Sequence, residues 1–444
     1  DWTSTAEYFD RLDGALGVNA GFLAGHSAIR RVVMGEAANR GTADAEARRR
    51  MKRMLAECLD AGALGFSSSW ANTHNDDAGQ MVPSRYASRE ELIELSGVLR
   101  DFEGTSIEFI PAVGRFGDEQ FDLMSEMSGA AQRSLNWNLL PVTARSFDGC
   151  MRQLRGGDHA AERGAKVVAL TIPIPVEARL SFATGMVLDA LPGWADTMAL
   201  PSDQRLAAFS KPEERRRLDE LAQQPSPFRG IARWDAITVR ETFTASAKGY
   251  AGHTIGEIAA QESKSSFDAL LDIVVADELR TVLELPTRGT GDADWEARLA
   301  VWRDGRAVIG GSDAGAHLDI LATFHYATGM LSEAVRERKL LPIEEAVHLI
   351  TDVQARLYGL RGRGRLEEGS FADVVVFDLD TLGPGPIHTR DDLPAGASRL
   401  YAGSIGVKHV LVNGAAIVRD GELTDSRSGT LLRSGRDTRT APLA

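Results

Sequence analysis

Cysteine is scarce in this sequence, and the few thiols form no recognisable motif. Cys58 and Cys150 are the only cysteines among 444 residues, and they lie far apart in the chain. Two widely separated thiols do not make a disulfide framework or a zinc knuckle, and such sparse usage is typical of a reducing compartment. We therefore expect a cytoplasmic protein.

An excess of positive charge and long apolar runs are missing as well. The formal net charge is −13, which argues against nucleic acid and anionic membrane surfaces as partners. No apolar run approaches the roughly 20 residues of a membrane-spanning helix. No basic segment followed by an apolar stretch stands at the start, as a signal peptide would require. We expect no nucleic-acid partner and no membrane partner.

Two catalytic motifs are also absent. None of the nine histidines belongs to a His-x-His pair. The serine run Ser67, Ser68 and Ser69 follows Gly-Phe, without the Gly-x-Ser-x-Gly turn that exposes a serine nucleophile. A serine hydrolase is therefore disfavoured.

What is present is an alternation of strand and helix patterns. Apolar strand patterns occupy residues 22–25, 62–67, 107–113, 135–142 and 165–172, and helix patterns occupy 43–60, 117–131 and 147–162. Strands separated by helices in this way form parallel βαβ units. The alternation breaks after residue 172, so we interpret the segment 175–305 as an insertion or lid.

The run 308–317 carries the strongest functional signal. An apolar stretch ends in small residues, and Asp313 follows where a buried strand would reach the surface. A barrel strand that ends in a carboxylate places it at the C-terminal mouth, where barrel enzymes do their chemistry. The alternative is an Asp that caps the next helix.

Several segments together resemble the amidohydrolase superfamily. The C-terminal ones are the helix pattern at 341–351, the Gly-rich turn and apolar strand ending at Asp378, and two closing strands joined by Asn413 and Gly414. An Asn-Gly pair between apolar strands is a strong hairpin signal. Nearer the start, residues 23–30, 61–69 and 89–92 are similar to the branch of N-acyl-D-amino-acid deacylases, the D-aminoacylases.

This resemblance implies a fold. It indicates an α/β protein with a TIM (β/α)8 barrel of the metal-dependent hydrolase type over residues 1–360 and a small β-sandwich domain over residues 361–444. It further implies that the first strands of the barrel and of the small domain would precede Asp1.

The resemblance also implies an activity, the metal-assisted hydrolysis of a carbon–nitrogen bond other than a peptide bond. The expected substrate is a small-molecule amide, an N-acyl (D-)amino acid or a related compound. Zn²⁺ or another divalent metal would lower the pKa of bound water toward about 7. Asp313 would bind the metal, take a proton from the water and pass it to the leaving nitrogen.

The sequence departs from the family pattern at two strands. Where the family carries histidines on the fifth and sixth strands, this chain has Glu108 and then Asn136 and Asn138. Amides are poor zinc ligands, so we predict Asp313, His317 and Glu108 as the metal ligands and Asn136 as a substrate contact.

Three further residues are predicted to bind substrate. His26 lies at a strand end, Arg30 could hold a carboxylate in a bidentate pair, and His74 lies in a polar loop that would face the mouth. The alternatives are a hydrogen-bonded histidine at the barrel rim for His26, a structural ion pair for Arg30 and simple exposure for His74.

Two other functions stay open on the sequence alone. One is hydrolysis of a cyclic amide or carbamoyl compound within the same superfamily. The other is a non-catalytic barrel that serves as a binding or oligomerisation subunit, since this fold carries many functions. Assembly into a homo-oligomer is compatible with each of them.

Overall fold

The computed structural model describes residues 2–76, 79–185, 187–313, 315 and 318–443. The strands in chain order are β1 (Ala24–Gly25), β2 (Gly65–Ser69), β3 (Ser106–Ile110), β4 (Leu135–Trp137), β5 (Val167–Thr171), β6 (Arg179–Leu180), β7 (Thr238–Glu241), β8 (Val282–Glu284), β9 (Ala307–Ile309), β10 (Val374–Phe377), β11 (Gly383–Pro384), β12 (His388–Arg390), β13 (Arg399–Tyr401), β14 (Ser404–Ile405), β15 (Val407–Val412), β16 (Ala415–Arg419) and β17 (Glu422–Leu423).

The helices alternate with the first strands, as predicted. They are α1 (Thr5–Leu12), α2 (His26–Met34), α3 (Ala45–Asp60), α4 (Arg89–Val98), α5 (Asp118–Ala131), α6 (Phe147–Ala161), α7 (Ala195–Met198), α8 (Ser202–Phe209), α9 (Pro212–Ala222), α10 (Ile255–Glu262), α11 (Ser266–Ala276), α12 (Asp292–Trp302), α13 (Tyr326–Met330), α14 (Ile343–Ile350) and α15 (Asp352–Leu357). None of the helices in the described ranges is both long and apolar enough to cross a bilayer.

Six strands form one parallel sheet within the described part of the chain, in the order β1-β2-β3-β4-β5-β9. Phe66, Ile107, Leu135 and Val167 lie side by side across β2 to β5. All four are buried in one core with apolar residues of α3 to α6. Burying each such side chain contributes about 1.5–3 kcal/mol, so this face fixes the register. Side chains alternate along a strand, and the opposite face therefore carries Ser67, Glu108, Asn136 and Val168.

Most of the segment between β5 and β9, from β6 to β8, folds on its own core, whereas Ala297 and Val301 of α12 pack into the core of the parallel sheet. β5 pairs directly with β9, while β6, β8 and β7 form a separate antiparallel sheet. The segment buries its own apolar cluster, which includes Trp194 stacked on Trp234 with ring centroids 5.7 Å apart. This arrangement is what an insertion between two neighbouring barrel strands requires.

The C-terminal region forms a small antiparallel sheet in the order β10-β15-β16-β17. Asn413 and Gly414 join β15 to β16 with φ angles of 51° and 86°. Positive φ at both central residues is what a type I′ hairpin turn needs, so the predicted Asn-Gly hairpin is confirmed. Asp373 ties this sheet to the N-terminal loop, because it accepts hydrogen bonds from Asn19 and from the backbone of Asn413. The domain boundary at residues 360–361 stays a prediction.

Candidate active site

The inner face of the barrel sheet carries a polar cluster near the carboxyl ends of its strands. Glu108 on β3 is in register with Asn136 on β4, and Asn138 follows two residues later. Nδ2 of Asn138 donates a hydrogen bond of 2.6 Å to Oε1 of Glu108. Because carboxyl ends of parallel strands share one edge of the sheet, Asp313, four residues beyond β9, joins the same cluster.

The Glu108 carboxyl is electrostatically perturbed. Burial raises the pKa of Glu108 above its ordinary value, and the amides of Asn138 and Asn136 only partly offset this effect. The nearby charge of Asp313 raises the pKa of Glu108 further. A buried carboxyl group whose ionisation is disfavoured by burial and by a second carboxylate is a common feature of functional sites.

Two polar atoms in the cluster are buried without a well-formed hydrogen bond to any described residue. They are Nδ2 of Asn136, a donor that lies near enough to Glu108 to oppose the rise in its pKa, and Oδ1 of Asn138, an acceptor. The other end of the Asn136 amide accepts a bond of 3.4 Å from the hydroxyl of Tyr358, and burial raises the pKa of that phenol. Buried polar groups are normally satisfied, so these open positions point to an interaction with a ligand.

The backbone around Asp313 is held in an unusual conformation. Gly311 has a φ of +72°, and a Cβ there would lie 2.9 Å from Cδ1 of Leu139, so glycine is required. Asp313 itself has a φ of 55°, a left-handed conformation that non-glycine residues seldom adopt. Thr323 donates a hydrogen bond to the carbonyl of Ser312. The exposed Asp313 side chain is thus presented from a constrained turn.

His74 lies in the loop that follows β2. Its Nδ1 is 2.9 Å from the hydroxyl of Ser69, the last residue of that strand. The same hydroxyl accepts a bond of 3.1 Å from the backbone of Ala71. The half-buried imidazole is therefore anchored at the end of β2.

His26 and Arg30 lie elsewhere, in a buried network behind the sheet. Their exposed fractions are 1% and 0%, and that of Glu91 on α4 is 0%. The Glu91 carboxylate accepts from the Arg30 guanidinium and, over 2.8 Å, from Nε2 of His26. Nη2 of Arg30 also donates to the carbonyl of Gly41 over 2.7 Å. These contacts are the structural ion pair and the rim histidine given above as alternatives.

The contacts fix the protonation of His26. A carboxylate only accepts hydrogen bonds, so Nε2 carries the proton that faces Glu91, and Nδ1 accepts from the hydroxyl of Ser68 over 2.8 Å. Burial lowers the pKa of His26, against the opposing effect of Glu91. Burial alone would raise the pKa of Glu91, but its bonds from His26 and Arg30 hold it below the ordinary value.

Stability should therefore fall as the pH drops. Below a pH of about 6.5, the ordinary pKa of histidine, the unfolded chain takes up a proton that folded His26 does not bind. The free energy of unfolding then decreases by at most about 1.4 kcal/mol per pH unit for this group. Glu91, ordinarily near 4.5, adds a second loss as the pH falls through its lowered pKa.

Chemical denaturation measured between about pH 8 and pH 5 tests this dependence. His26→Gln should flatten the profile relative to the wild type, and His253→Gln, which changes an exposed histidine, should leave it unchanged. Equal slopes for all three proteins would contradict the assignment.

The described residues supply only part of a metal site. Glu108 and Asp313 are carboxylates on one edge of the sheet, yet no group of three or more His, Cys, Asp or Glu residues suited to a metal occurs within the described ranges. A catalytic zinc site uses three protein ligands. The predicted ligand His317 lies outside the described residues.

Two residues of these networks, Tyr358 and Glu91, are not predicted as partners from the sequence. The sequence indicates that the amide of Asn138 could hydrogen-bond a substrate, but not that it bonds to Glu108. The sequence carries a signal for Glu91, because a helical period of 3.6 places it on the same face as the buried Leu92 and Leu95. Nothing in the sequence indicates which buried group it meets.

Comparison with known proteins agrees with this architecture. A family model described as the amidohydrolase family matches residues 1–418. N-acyl-D-glutamate deacylase of Alcaligenes xylosoxydans xylosoxydans is 26% identical over 442 residues, which cover 98% of this chain and 74% of that protein.

Two solved structures share the fold. D-aminoacylase, studied for the role of its binuclear metal centre, superposes with a TM-score of 0.58 at 21% identity and covers 97% of this chain and 75% of its own. N-acyl-D-glutamate deacylase from Bordetella bronchiseptica, complexed with zinc and a phosphonate inhibitor, gives the same TM-score of 0.58, identity of 21% and coverages of 97% and 75%.

These results confirm the predicted TIM-barrel metal-hydrolase fold, of which the described residues form the six-stranded parallel sheet. The match spans nearly the whole chain, and it confirms the resemblance drawn from the sequence. The chain belongs to the amidohydrolase family.

Proposed function

We propose that this protein hydrolyses the amide bond of N-acyl-D-amino acids, releasing a carboxylic acid and a free amino acid. The observation that carries the proposal is the position of Asp313. In a chain of the amidohydrolase family, its carboxylate follows the last barrel strand and lies close enough to Glu108 to perturb that group. A relative over 98% of this chain is an N-acyl-D-glutamate deacylase, which supports this substrate class.

Asp313 is proposed as the group that moves the proton. It is exposed at the strand end, so water and substrate can reach it. As a general base its carboxylate takes a proton from the attacking water, and as a general acid it returns that proton to the leaving nitrogen. The net reaction adds one water across the carbon–nitrogen bond.

The open amide positions suit an amide substrate. Nδ2 of Asn136 can donate to a carbonyl oxygen, and Oδ1 of Asn138 can accept from an amide N–H. An N-acyl amino acid offers both groups on adjacent atoms. Asn136, predicted as a substrate contact, therefore has a specific proposed role, and Asn138 joins it.

Among the other predicted substrate contacts, His74 keeps that proposed role because Ser69 anchors its ring at the end of β2. His26 and Arg30 are proposed to act indirectly. Both residues bond to Glu91, and Nδ1 of His26 also bonds to the hydroxyl of Ser68. The next residue, Ser69, is bonded to the ring of His74. Loss of either residue should therefore disturb the end of β2.

Glu108 and Asp313 are proposed as two carboxylate ligands of a divalent metal. Such an ion, when bound, supplies a Lewis acid that polarises the scissile carbonyl and acidifies water. The described residues offer two of the three protein ligands that a catalytic site needs. The fit is partial, and His317 is the proposed third ligand.

Metal content distinguishes a catalytic barrel from a scaffold. Plasma mass spectrometry of the purified protein should find about one divalent ion per chain, in line with catalytic zinc sites. Asp313→Asn should lose it, whereas Asp425→Asn, an exposed residue of the small domain, should retain it. No metal in any of the three proteins would favour the non-catalytic alternative.

The substrate class is tested with enantiomers. Release of free amino acid should be readily measurable from N-acetyl-D-glutamate and slower by at least about a hundredfold from N-acetyl-L-glutamate, a difference of roughly 2.7 kcal/mol. Hydantoin serves as the cyclic-amide probe. Turnover of hydantoin without turnover of either glutamate derivative would overturn the proposal in favour of the cyclic-amide reaction.

We also propose a cellular location and an oligomeric state. Both cysteines are free thiols, which supports the proposed cytoplasmic location. Assembly into a homo-oligomer stays a proposal, which sedimentation of the purified protein would test.

A further inference from the structure

A cavity separate from the Asp313 cluster lies at the same end of the barrel as the proposed active site. It has a volume of about 330 Å³ and lies between the loop after β4, the segment after β5 and the insertion. Its wall is mainly apolar, with contributions from Ile172, Ile174, Phe228 and Leu285. Its volume falls within the range of small-molecule pockets. A cavity of about 650 Å³ lies instead against α15, near the starts of β5 and β9.

Two arginines, Arg288 and Arg298, are the charged residues of this wall, and no described carboxylate lines it. Arg298 lies on the buried face of α12 and is only 2% exposed. Nη2 of Arg298 donates to the carbonyl of Gly289 over 2.7 Å, and the guanidinium lies 4.8 Å from the ring centroid of Trp295. Nη1 of Arg298 is buried and has no hydrogen-bond partner among the residues that the structure describes.

The cost of burying the Arg298 guanidinium is only weakly offset by nearby negative charge. Burial lowers the pKa of Arg298 to about 10, with only partial relief from Asp294. The carboxylate of Asp294 already accepts backbone bonds from Ala144 over 2.7 Å and from Gly291 over 3.1 Å. A buried cation that lacks a paired anion is costly, so an anionic ligand would gain a strong charge-assisted hydrogen bond here.

Arg288 adds a second cation at the edge of the same cavity. Its side chain is exposed, and its Nη2 lies 2.9 Å from the position that a Cβ on Gly230 would occupy. The absence of a side chain at Gly230 leaves space for this guanidinium against the insertion. The cavity thus combines an apolar wall with one buried and one accessible arginine.

We propose that this cavity binds a carboxylate that carries an apolar chain. The carboxylate pairs with Arg298 and Arg288, and the chain packs on the apolar wall. A free fatty acid and an N-acyl amino acid both have this chemistry. The site does not depend on the proposed deacylation, because none of its lining residues belongs to the Asp313 cluster.

Calorimetric titration with octanoate tests the proposal. Octanoate should bind, whereas octanol and octylammonium, which have the same chain without the negative charge, should bind at least about tenfold more weakly. Arg288→Ala and Arg298→Lys should each raise the dissociation constant for octanoate about tenfold or more. Arg216→Ala, an exposed arginine of α9, should not change it. Melting curves verify that each variant is folded. If Arg298→Lys does not fold, the Arg288→Ala variant still tests the proposal, because Arg288 is exposed.

Titration with N-octanoylglycine distinguishes the two sources of the carboxylate. Tighter binding than octanoate that Arg288→Ala weakens about tenfold or more assigns the cavity to N-acyl amino acids, and weaker binding assigns it to free fatty acids. Asp313→Asn should retain octanoate binding, so failure of the deacylation proposal would leave this result intact. Equal affinity for octanoate and octanol, or an Arg288→Ala variant that binds octanoate like the wild type, would overturn the inference.

Discussion

Asp313→Asn is expected to lower kcat/KM for N-acetyl-D-glutamate by a factor of about 10² to 10⁴, the usual range for loss of a general acid–base group. The asparagine keeps the shape of the side chain, but it can neither accept the proton of the attacking water nor return it to the leaving nitrogen. It is also expected to lose the metal that Asp313 is proposed to hold. The effect should fall mainly on kcat, because this interaction is made in the transition state.

The control for this variant is Asp425→Asn, which removes one carboxylate from the surface of the small domain and should keep wild-type kinetics. Circular dichroism should show the same melting temperature for the three proteins within a few degrees, since Asp313 is exposed. An Asp313→Asn protein that retains more than about a tenth of wild-type kcat/KM would remove Asp313 from the mechanism.

Glu91→Gln is expected to lower the free energy of unfolding by about 3–5 kcal/mol, since it removes one member of a buried ion pair and strands the other. Arg30, which is 0% exposed, would keep its charge but lose the carboxylate that holds it. His26 would keep at most a neutral amide oxygen as the acceptor of its Nε2 proton, in place of a charged carboxylate. Urea denaturation gives the free energy directly.

Glu90→Gln provides a matched control, because the adjacent Glu90 is exposed and its loss should leave the free energy of unfolding close to that of the wild type. The double variant Arg30→Met with Glu91→Leu should lose less free energy of unfolding than the two single variants lose together, since neither Arg30 nor Glu91 is left as a lone buried charge. A Glu91→Gln protein as stable as Glu90→Gln would show that the network carries little of the folding free energy.

The barrel strands were predictable because their outer faces are mainly apolar, with Ser68 as a polar exception. Strand patterns around Phe66, Ile107, Leu135 and Val167 gave the right elements, and α5 was predicted over residues 117–131 against the observed Asp118–Ala131. The strand ends were less accurate. The pattern at residues 107–113 predicted a strand through Val113, but β3 ends at Ile110, because Pro111 cannot donate to a sheet.

The candidate site was predictable only in part. Asp313 and Glu108 could be located because each follows or lies within an apolar strand, which determines the end of the barrel and the face of the sheet. The roles of His26 and Arg30 depend on Glu91, which is more than 60 residues away along the chain. No local periodicity encodes such a pairing, so a substrate contact and a structural ion pair gave the same sequence signal.

Arg298 shows the same limit in the opposite direction. Its spacing from Trp295 and Val301 places it on the apolar face of α12, where an arginine is unexpected. That signal is visible in the sequence, yet the cavity that makes it informative is formed by loops from three separate parts of the chain.

The most direct test of the proposed deacylation is hydrolysis of N-acetyl-D-glutamate in water enriched in ¹⁸O, followed by mass spectrometry of the products. We expect equal amounts of acetate and free D-glutamate, with one solvent oxygen in the acetate and none in the glutamate. Absence of acetate, with the protein folded and metal-loaded, would contradict it.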